Sequence, residues 1–328
     1  MTDPLVGIEA IRAAAERLRG VAIRTPLVSF SSGPPRVLLK AESLQPIGAF
    51  KIRGAYNAIA QLSPDELRRG VVAHSSGNHA QGVARAARLL GTHAVVVMPS
   101  DAPAVKRARV EADGAEVVTV GVESGAREST AARLAEERGL VSIPPYDDDR
   151  IIAGQGTCGL EIAEDVEDLE LVLVPIGGGG LASGVAAAVK AIRPRARVIG
   201  VEPELAADAA ESLREGRIVR WDGALTARTV ADGTRTQAIG RRPFEHLSRL
   251  LDGIVTVSEV EIAAAVRLAA EESRLVVEPS GALSIAAARF RTGELGLAGL
   301  DGTVVAVISG GNVDPTRYRE LLASPVPG

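Results

Sequence analysis

Short apolar runs alternate with longer amphipathic stretches along most of the 328-residue chain. The apolar runs predict β-strands at 36–42, 70–74, 94–99, 116–121, 171–176, 197–203, 253–258 and 303–309. The stretches between them predict helices that include 50–62, 80–91, 104–114, 128–139 and 259–273. Strands separated by helices are typical of right-handed βαβ units. The pattern therefore predicts an α/β fold with mostly parallel sheets and flanking helices.

The arrangement of these elements suggests two domains. The polar, turn-rich stretch at 144–156 is expected to lead the chain out of a compact βα segment and back to the main domain. We expect a discontinuous large domain, residues 1–62 plus 148–328, and a small inserted α/β domain, residues 63–147. Residues 1–20 predict an amphipathic helix that begins at Thr2 or Asp3.

Composition narrows the class of protein. Hydrophobic residues make up 46% of the chain but aromatic residues only 2%, which suits buried parallel strands covered by Ala-rich helices. The net charge of −4 is spread without a basic stripe, so no nucleic-acid partner is expected. No apolar stretch is long enough for a membrane span, so no membrane partner is expected either. The single cysteine, Cys158, predicts a reducing compartment, and we expect a cytoplasmic location.

A run of four glycines follows the predicted strand at 171–176 and opens a helix, in the sequence PIGGGGLASG at 175–184. Glycines allow backbone N–H groups to converge, and a helix N-terminus adds partial positive charge, so the loop predicts a phosphate site. It has neither the Gly-Lys-Ser/Thr of a Walker loop nor the spacing of a dinucleotide fingerprint. The alternative is that the glycines serve packing alone.

Two further loops follow predicted strands. The loop HSSGNHAQG at 74–82 presents hydroxyls and backbone N–H groups that can bind a carboxylate, although Ser75 or Ser76 could merely cap a helix. The loop ISGGN at 308–312 places Ser309 at the end of a buried strand, where a plain turn is the alternative.

Lysine is rare in this chain, which has 37 Lys and Arg residues but lysine only at positions 40, 51, 106 and 190. Lys51 lies between Phe50 and Ile52, where poor solvation would lower its pKa and make the amine nucleophilic. A lysine can form a Schiff base, whereas arginine cannot. The alternative is a surface lysine with a buried stem. Together, a nucleophilic lysine, a phosphate loop, a carboxylate loop and a neutral hydroxyl predict pyridoxal 5′-phosphate acting on an amino acid.

The motifs SLQPIGAFKIRGA, HSSGNHAQGVA, IAGQGT, PIGGGGLASG, GVEPELAAD, ADG and SGGNVD occur in this order. In them the chain resembles the serine/threonine dehydratase and serine racemase family of fold-type II pyridoxal-phosphate enzymes. The resemblance covers nearly the whole chain. It implies a two-domain fold like that of the tryptophan synthase β subunit, a small-molecule amino-acid substrate and a homodimer.

The resemblance also implies roles for individual residues. Lys51 would form the Schiff base, Phe50 would pack at the cofactor ring, Asn78 would hydrogen-bond the ring hydroxyl and Ser309 would meet the pyridine nitrogen. Backbone amides would hold the phosphate at Gly177, Gly178, Gly179, Gly180 and Leu181. The substrate carboxylate would be lined by Ser75, Ser76, Gly77, Asn78 and His79.

The expected activity is a dehydratase, or ammonia-lyase, that converts L-serine, L-threonine or a related 3-hydroxy amino acid to a 2-oxo acid and ammonia. One alternative is a serine or aspartate racemase with side elimination, because the Ser76 hydroxyl opposite Lys51 could return a proton. Another is a threo-3-hydroxyaspartate dehydratase, for which Arg127 could bind the acidic side chain, although a surface helix arginine is the alternative for that residue. A non-catalytic binding protein is the alternative from a different class.

The resemblance further implies a divalent-cation site formed by Glu202, the Ala206 carbonyl and Asp208, whose oxygen ligands suit Mg²⁺ or Ca²⁺. The alternative for this stretch is a solvated acidic turn. The chain departs from the family pattern at Ile47 and Ala49, where relatives usually have threonine and serine.

Overall fold

The computed structural model describes residues 3–31, 35–75, 77–100, 102, 104–121 and 125–327. The strands are β1 (Leu27–Ser31), β2 (Arg36–Ala41), β3 (Val71–His74), β4 (Ala94–Pro99), β5 (Glu116–Val120), β6 (Val141–Ser142), β7 (Leu169–Pro175), β8 (Arg197–Pro203), β9 (Gly253–Val257) and β10 (Thr303–Ile308). The helices are α1 (Ile8–Arg17), α2 (Lys51–Ile59), α3 (Pro64–Arg69), α4 (Asn78–Leu90), α5 (Ala104–Ala112), α6 (Ala126–Arg138), α7 (Asp149–Asp165), α8 (Gly180–Ile192), α9 (Asp208–Glu215), α10 (Gly223–Thr226), α11 (Arg241–Leu250), α12 (Glu259–Ser273), α13 (Pro279–Phe290), α14 (Thr292–Leu295) and α15 (Pro315–Leu322).

The larger sheet has the strand order β1-β2-β10-β7-β8-β9. All its pairings are parallel except that of β1 with β2. Helices α12 and α13 cover one face, and α7 and α8 cover the other. Because both faces are covered, the central strands can be apolar throughout, and β10 is buried along its whole length.

The smaller sheet has the order β5-β4-β3-β6, and its strands are all parallel. Helix α6 packs on one face through Ala131 and Leu134. On the other face, α4 packs together with α2, whose Ile52 and Ile59 lie in the core of this smaller sheet. The four strands lie between residues 71 and 142, inside the range predicted for the small domain; the domain boundaries themselves stay a prediction.

Helices α7 and α8 cross closely because glycines face each other at their contact. A Cβ atom added to Gly184 would lie 2.3 Å from the Ile152 carbonyl and 2.4 Å from the Gly156 nitrogen. A Cβ atom on Gly159 would lie 2.7 Å from the Val185 backbone. This close packing against α7 fixes the position of α8, and with it the glycine loop at which α8 begins.

The eight predicted strands are all present, with ends that differ by at most two residues. Two short strands, β1 and β6, were not predicted. The prediction for the N-terminal helix was wrong at its start, because α1 begins at Ile8 after extended residues. That extended segment is bound instead, since the Val6 N–H donates to His246 Nε2 at 2.9 Å and the Arg242 guanidinium donates to the Pro4 carbonyl at 2.7 Å. Within the described ranges, no helix has the length and apolar character needed to cross a membrane.

Candidate active site

Lys51 is the first residue of α2 and follows a turn in which Gly48 has φ of 72°. Its amine donates a hydrogen bond to the Pro145 carbonyl at 2.7 Å and lies 5.0 Å from the centre of the Phe50 ring. Burial among these groups lowers the pKa of Lys51 from 10.5 to about 8. About a tenth of the amine is therefore unprotonated at pH 7, far more than for an ordinary lysine, and the unprotonated amine is the form that acts as a nucleophile or base.

The glycine loop connects β7 to α8. Gly179 has φ of 91°, a conformation that favours glycine, and a Cβ atom on it would lie 2.7 Å from Pro243 Cβ. A Cβ atom on Gly177 would lie 3.1 Å from Thr234 Cα, and one on Gly178 would lie 2.1 Å from the Tyr146 ring. Packing thus accounts for part of the glycine requirement. The loop still ends at the N-terminus of α8, where Gly180 and Leu181 begin a helix suited to a phosphate.

Ser309 connects Lys51 with the glycine loop. The Phe50 N–H donates to the Ser309 carbonyl at 3.0 Å, which fixes the residue before Lys51 to the end of β10. The Ser309 hydroxyl donates to the Ser280 carbonyl at 3.4 Å, and the Ser280 hydroxyl accepts from the Gly233 N–H at 2.8 Å. Gly233 in turn lies beside Gly177. The structure therefore brings Lys51, Ser309 and the glycine loop together at one end of the larger sheet.

Asn78, the first residue of α4, has two side-chain partners. Its amide nitrogen donates to Glu278 Oε1 at 2.6 Å, and its oxygen accepts from Asn312 Nδ2 at 2.8 Å. Burial raises the pKa of Glu278 to about 7, and the charge of Asp232 adds to the shift. Sequence reasoning missed Glu278, because its contact with Asn78 joins residues 200 positions apart.

The rest of the predicted carboxylate loop is partly defined. The Ser75 hydroxyl accepts a hydrogen bond from the Gly77 N–H at 3.2 Å. Ser76 lies outside the described residues. The buried His79 ring contacts the Ile143 carbonyl through Nε2 at 2.9 Å, so Nε2 carries the proton. Burial, with a contribution from Lys51, lowers the pKa of His79 to about 3, and the ring therefore stays neutral.

The predicted cation ligands lie between β8 and α9. The fully buried Glu202 carboxylate accepts from the Ala209 and Ala210 N–H groups at 3.1 and 2.7 Å, so it caps α9. Burial and the neighbouring Asp208 raise the pKa of Glu202 well above its usual range, and burial raises the pKa of Asp208 to about 7. Asp208 Oδ2 is buried without a hydrogen-bond partner among the described residues. No group of three His, Cys, Asp or Glu side chains suited to a metal occurs in the described part of the chain.

Sequence reasoning treated residues 144–149 only as a connection between domains, yet Pro145 and Tyr146 contact Lys51 and the glycine loop. No local sequence pattern predicts these contacts. The one available signal is that Tyr146 is an aromatic residue in a chain with only 2% aromatics. The departures from the family pattern lie in the same area. Ala49 forms an antiparallel bridge with Gly310, and the Ile47 carbonyl accepts from Asn312 at 2.8 Å.

Comparison with known proteins identifies the family and the fold. A family model described as "Pyridoxal-phosphate dependent enzyme" matches residues 18–310. The chain is 44% identical to the L-threonine ammonia-lyase of Thermotoga maritima over 97% of this chain and 78% of that protein. It is 40% identical to the L-threo-3-hydroxyaspartate ammonia-lyase of Saccharomyces cerevisiae over 94% of each protein. Its structure matches that of maize serine racemase with a TM-score of 0.90 at 36% identity, over 97% of each chain. The chain therefore belongs to the family of pyridoxal-phosphate dependent enzymes and has the fold-type II α/β architecture that its sequence predicts.

Proposed function

We propose that this protein is an ammonia-lyase that converts L-threonine, L-serine or a related 3-hydroxy amino acid to a 2-oxo acid and ammonia. The substrate loses its β-hydroxyl and α-proton as water, and water is then taken up as ammonia leaves. The observation that carries the proposal is the Lys51 amine, whose pKa is lowered to about 8 beside a glycine loop at a helix N-terminus. The ammonia-lyases among the relatives support the same reaction class.

The residues present fit pyridoxal phosphate. A Cβ atom on any of the four glycines would lie within 3.1 Å of a neighbouring protein atom, so the loop is bare backbone at the start of α8. The N–H groups from Gly177 to Leu181 would hold the phosphate. Phe50 would pack at the ring, Asn78 would meet its hydroxyl and Ser309 its nitrogen. Pyridoxal phosphate, when bound, supplies a conjugated ring that withdraws electrons from the α-carbon of the amino acid.

Each residue then has a definable task. Lys51 Nζ takes the proton from the α-carbon, which its lowered pKa permits near neutral pH. The Ser75 hydroxyl and the backbone N–H groups of Gly77 to His79, at the start of α4, bind the substrate carboxylate. The Ser309 hydroxyl is neutral and therefore leaves the ring nitrogen without a carboxylate partner. These roles follow the resemblance and are proposals.

Release of 2-oxo acid from L-threonine, L-serine and L-threo-3-hydroxyaspartate tests the proposal. We expect activity with at least one of them and its loss in Lys51→Ala, while Lys190→Ala, which changes a lysine in the last turn of α8, retains it. Borohydride treatment of the yellow protein should attach the cofactor to Lys51. Recovery of D-serine from L-serine without pyruvate would contradict the lyase assignment and support a racemase.

A 3-hydroxyaspartate substrate is the second candidate, and Arg127 is the residue proposed to bind its acidic side chain. Burial lowers the pKa of His74, at the carboxyl end of β3, while the charge of Glu128 raises it and the charge of Arg127 lowers it. Arg127 therefore acts, together with Glu128, on the strand end that leads into the carboxylate loop. If it binds the side chain of 3-hydroxyaspartate, Arg127→Ala raises KM for that substrate more than for L-serine. Arg133→Ala, in the same helix, is the matched control, and equal effects on both substrates would exclude the role.

We also propose that Glu202, the Ala206 carbonyl and Asp208 bind Mg²⁺ or Ca²⁺. Two buried carboxylates of like charge and the unpartnered Asp208 Oδ2 fit a hard cation with oxygen ligands. Millimolar Mg²⁺ or Ca²⁺ should raise the melting temperature of EDTA-treated protein. The same addition should have no effect on Asp208→Asn, and an unchanged melting temperature in the original chain would rule the site out.

The assembly and location stay proposals. Leu44 and Val276 are 46% and 53% exposed, and the Ser43 side chain and Val276 carbonyl flank Gly311, so these apolar side chains suit the predicted homodimer interface. Light scattering after size exclusion should give a dimer that Leu44→Glu dissociates. A cytoplasmic location is proposed from the single, buried Cys158.

A further inference from the structure

A short strap, Pro145 to Asp148, connects the end of the small sheet to α7 and contacts two parts of the proposed active site. At one end of the strap, the Pro145 carbonyl accepts the hydrogen bond from Lys51 Nζ at 2.7 Å. The next residue, Tyr146, lies on the glycine loop. Two consecutive residues therefore contact the two groups that the proposed reaction must hold at a fixed separation.

The Tyr146 ring packs directly on Gly178. A Cβ atom built on Gly178 would lie 2.1–2.3 Å from three ring carbons, which is far inside van der Waals contact. A Cβ atom on Gly180 would lie 3.0–3.1 Å from the Tyr146 Cβ, Cα and carbonyl oxygen. Two of the four glycines therefore pack against Tyr146. Gly178 contacts its ring, and Gly180 contacts its backbone and Cβ.

The strap is anchored on the far side of Tyr146. The Asp147 carboxylate accepts from the Arg241 and Arg242 N–H groups at 3.2 and 2.8 Å, which joins the strap to the start of α11. The Asp148 carboxylate caps α7 by accepting from the Arg150 N–H at 2.7 Å. With both carboxylates bonded, the strap cannot shift without breaking hydrogen bonds at two helix N-termini.

We infer that Tyr146 is a positioning residue: its ring covers the glycine loop and fixes the strap whose Pro145 carbonyl holds the Lys51 amine. The inference rests on the proposed function, since it gives Tyr146 a role around the same lysine. The aromatic ring lies against Gly178 and leaves no room for water at that contact, and the phenol hydroxyl is not required for that role.

This role has a measurable consequence at Lys51. The pKa of Lys51 is lowered to about 8 by burial, so a change that admits water must raise it toward the ordinary value of 10.5. Tyr146→Ala removes the cover, whereas Tyr146→Phe keeps the ring. Tyr318→Ala is a matched control, because it removes a partly buried tyrosine that packs on a different core cluster.

The test is competitive acetylation of the full-length, cofactor-free chain over a range of pH, followed by peptide mass spectrometry. The chain has only four lysines, so Lys106 and Lys190 serve as internal references. We expect Tyr146→Ala to raise the pKa of Lys51 by about one unit or more. The Tyr146→Phe and Tyr318→Ala variants should leave it near the original value.

An unchanged pKa in Tyr146→Ala, or an equal rise in Tyr146→Phe, overturns the inference. A merely structural role would lower the melting temperature without moving the pKa in the folded protein. If Tyr146→Ala does not fold, Tyr146→Leu is measured in the same way, and the same criterion of a raised pKa decides. The measurement needs no turnover, so absence of lyase activity in the original chain would refute the proposed function and leave this inference standing.

Discussion

Replacement of Arg53 by methionine should destabilise the protein strongly, because Arg53 is the centre of a buried ionic network. Its side chain is 1% exposed and donates to Glu42 at 2.7 and 2.8 Å and to Glu161 at 2.7 and 2.9 Å. Lys40, fully buried, donates to Glu161 at 2.6 Å. Two positive and two negative charges thus balance inside the core, and Arg53 is two residues from Lys51 on α2.

The size of the loss follows from the charge that is left behind. Methionine fills much of the arginine volume but leaves Glu42 buried without the guanidinium that pairs with it. Removal of one member of a buried ion pair costs about 3–5 kcal/mol of unfolding free energy. The double variant Arg53→Met/Glu42→Gln should lose less than Arg53→Met alone, because the uncompensated carboxylate is gone.

The pH dependence has a definite sign. Burial acts to raise the pKa of Glu42, but the charge and hydrogen bonds of Arg53 outweigh it and lower the pKa. In the original chain this stabilisation is present above the unfolded pKa of Glu42 and lost as pH falls through the folded one. Without Arg53, burial is the largest influence on the pKa of Glu42 and raises it, opposed only by the charge of Lys40 and the hydrogen bond from Thr25. The stability gap between variant and original should therefore widen from pH 5 to pH 8.

Urea unfolding followed by circular dichroism measures these differences. Arg12→Met is the control, since its pair with Glu9 is exposed and should be worth less than about 1 kcal/mol. A loss below about 1 kcal/mol for Arg53→Met would refute the reasoning that the network is desolvated. So would a double variant that is less stable than the single one.

Three further changes test other parts of the structure. Gly184→Ala should lower the unfolding free energy by about 1–3 kcal/mol, because its Cβ would lie 2.3 Å from the Ile152 carbonyl and force α7 and α8 apart; an unchanged urea midpoint would contradict this. Arg274→Gly should raise the unfolding free energy by about 0.5–1 kcal/mol, because Arg274 has φ of 59° and glycine relieves the strain. A lower melting temperature would contradict this prediction. Burial lowers the pKa of His246, whose neutral Nε2 accepts from the Val6 N–H, so the unfolding free energy should fall as pH drops below about 6.5. His246→Gln should flatten that part of the pH profile, and an unaltered profile would exclude His246 as its cause.

The sequence predicted the parts of the fold and site that depend on local pattern. The strands at 94–99 and 197–203 were predicted with their observed ends, because apolar runs bounded by turns mark buried strands. Lys51 stood out because lysine is rare in this chain, and the glycine loop because four glycines end a strand. Each of these signals is contained in a short stretch of consecutive residues, so it can be read without knowledge of the tertiary structure.

Features that depend on tertiary contact were beyond local pattern. Glu278 meets Asn78 across 200 positions, and the Tyr146 ring meets Gly178 from a loop that looked like a plain connection. The start of α1 was misplaced because residues before it bond to His246 instead of continuing the helix. In each case the deciding partner lies far away along the chain, where periodicity carries no information.

The position of α2 has a mechanical consequence. This helix carries Lys51, and its Ile52 and Ile59 are packed into the core of the small sheet, while the residue before Lys51 is hydrogen-bonded to Ser309 at the end of β10. Arg53, two residues after Lys51, is paired with Glu42 and Glu161, so α2 is also held to the helix α7 that covers the larger sheet. Any rotation of the small sheet would therefore have to slide past α2 and not carry it along, and the lysine would keep its distance from the phosphate cradle while substrate enters.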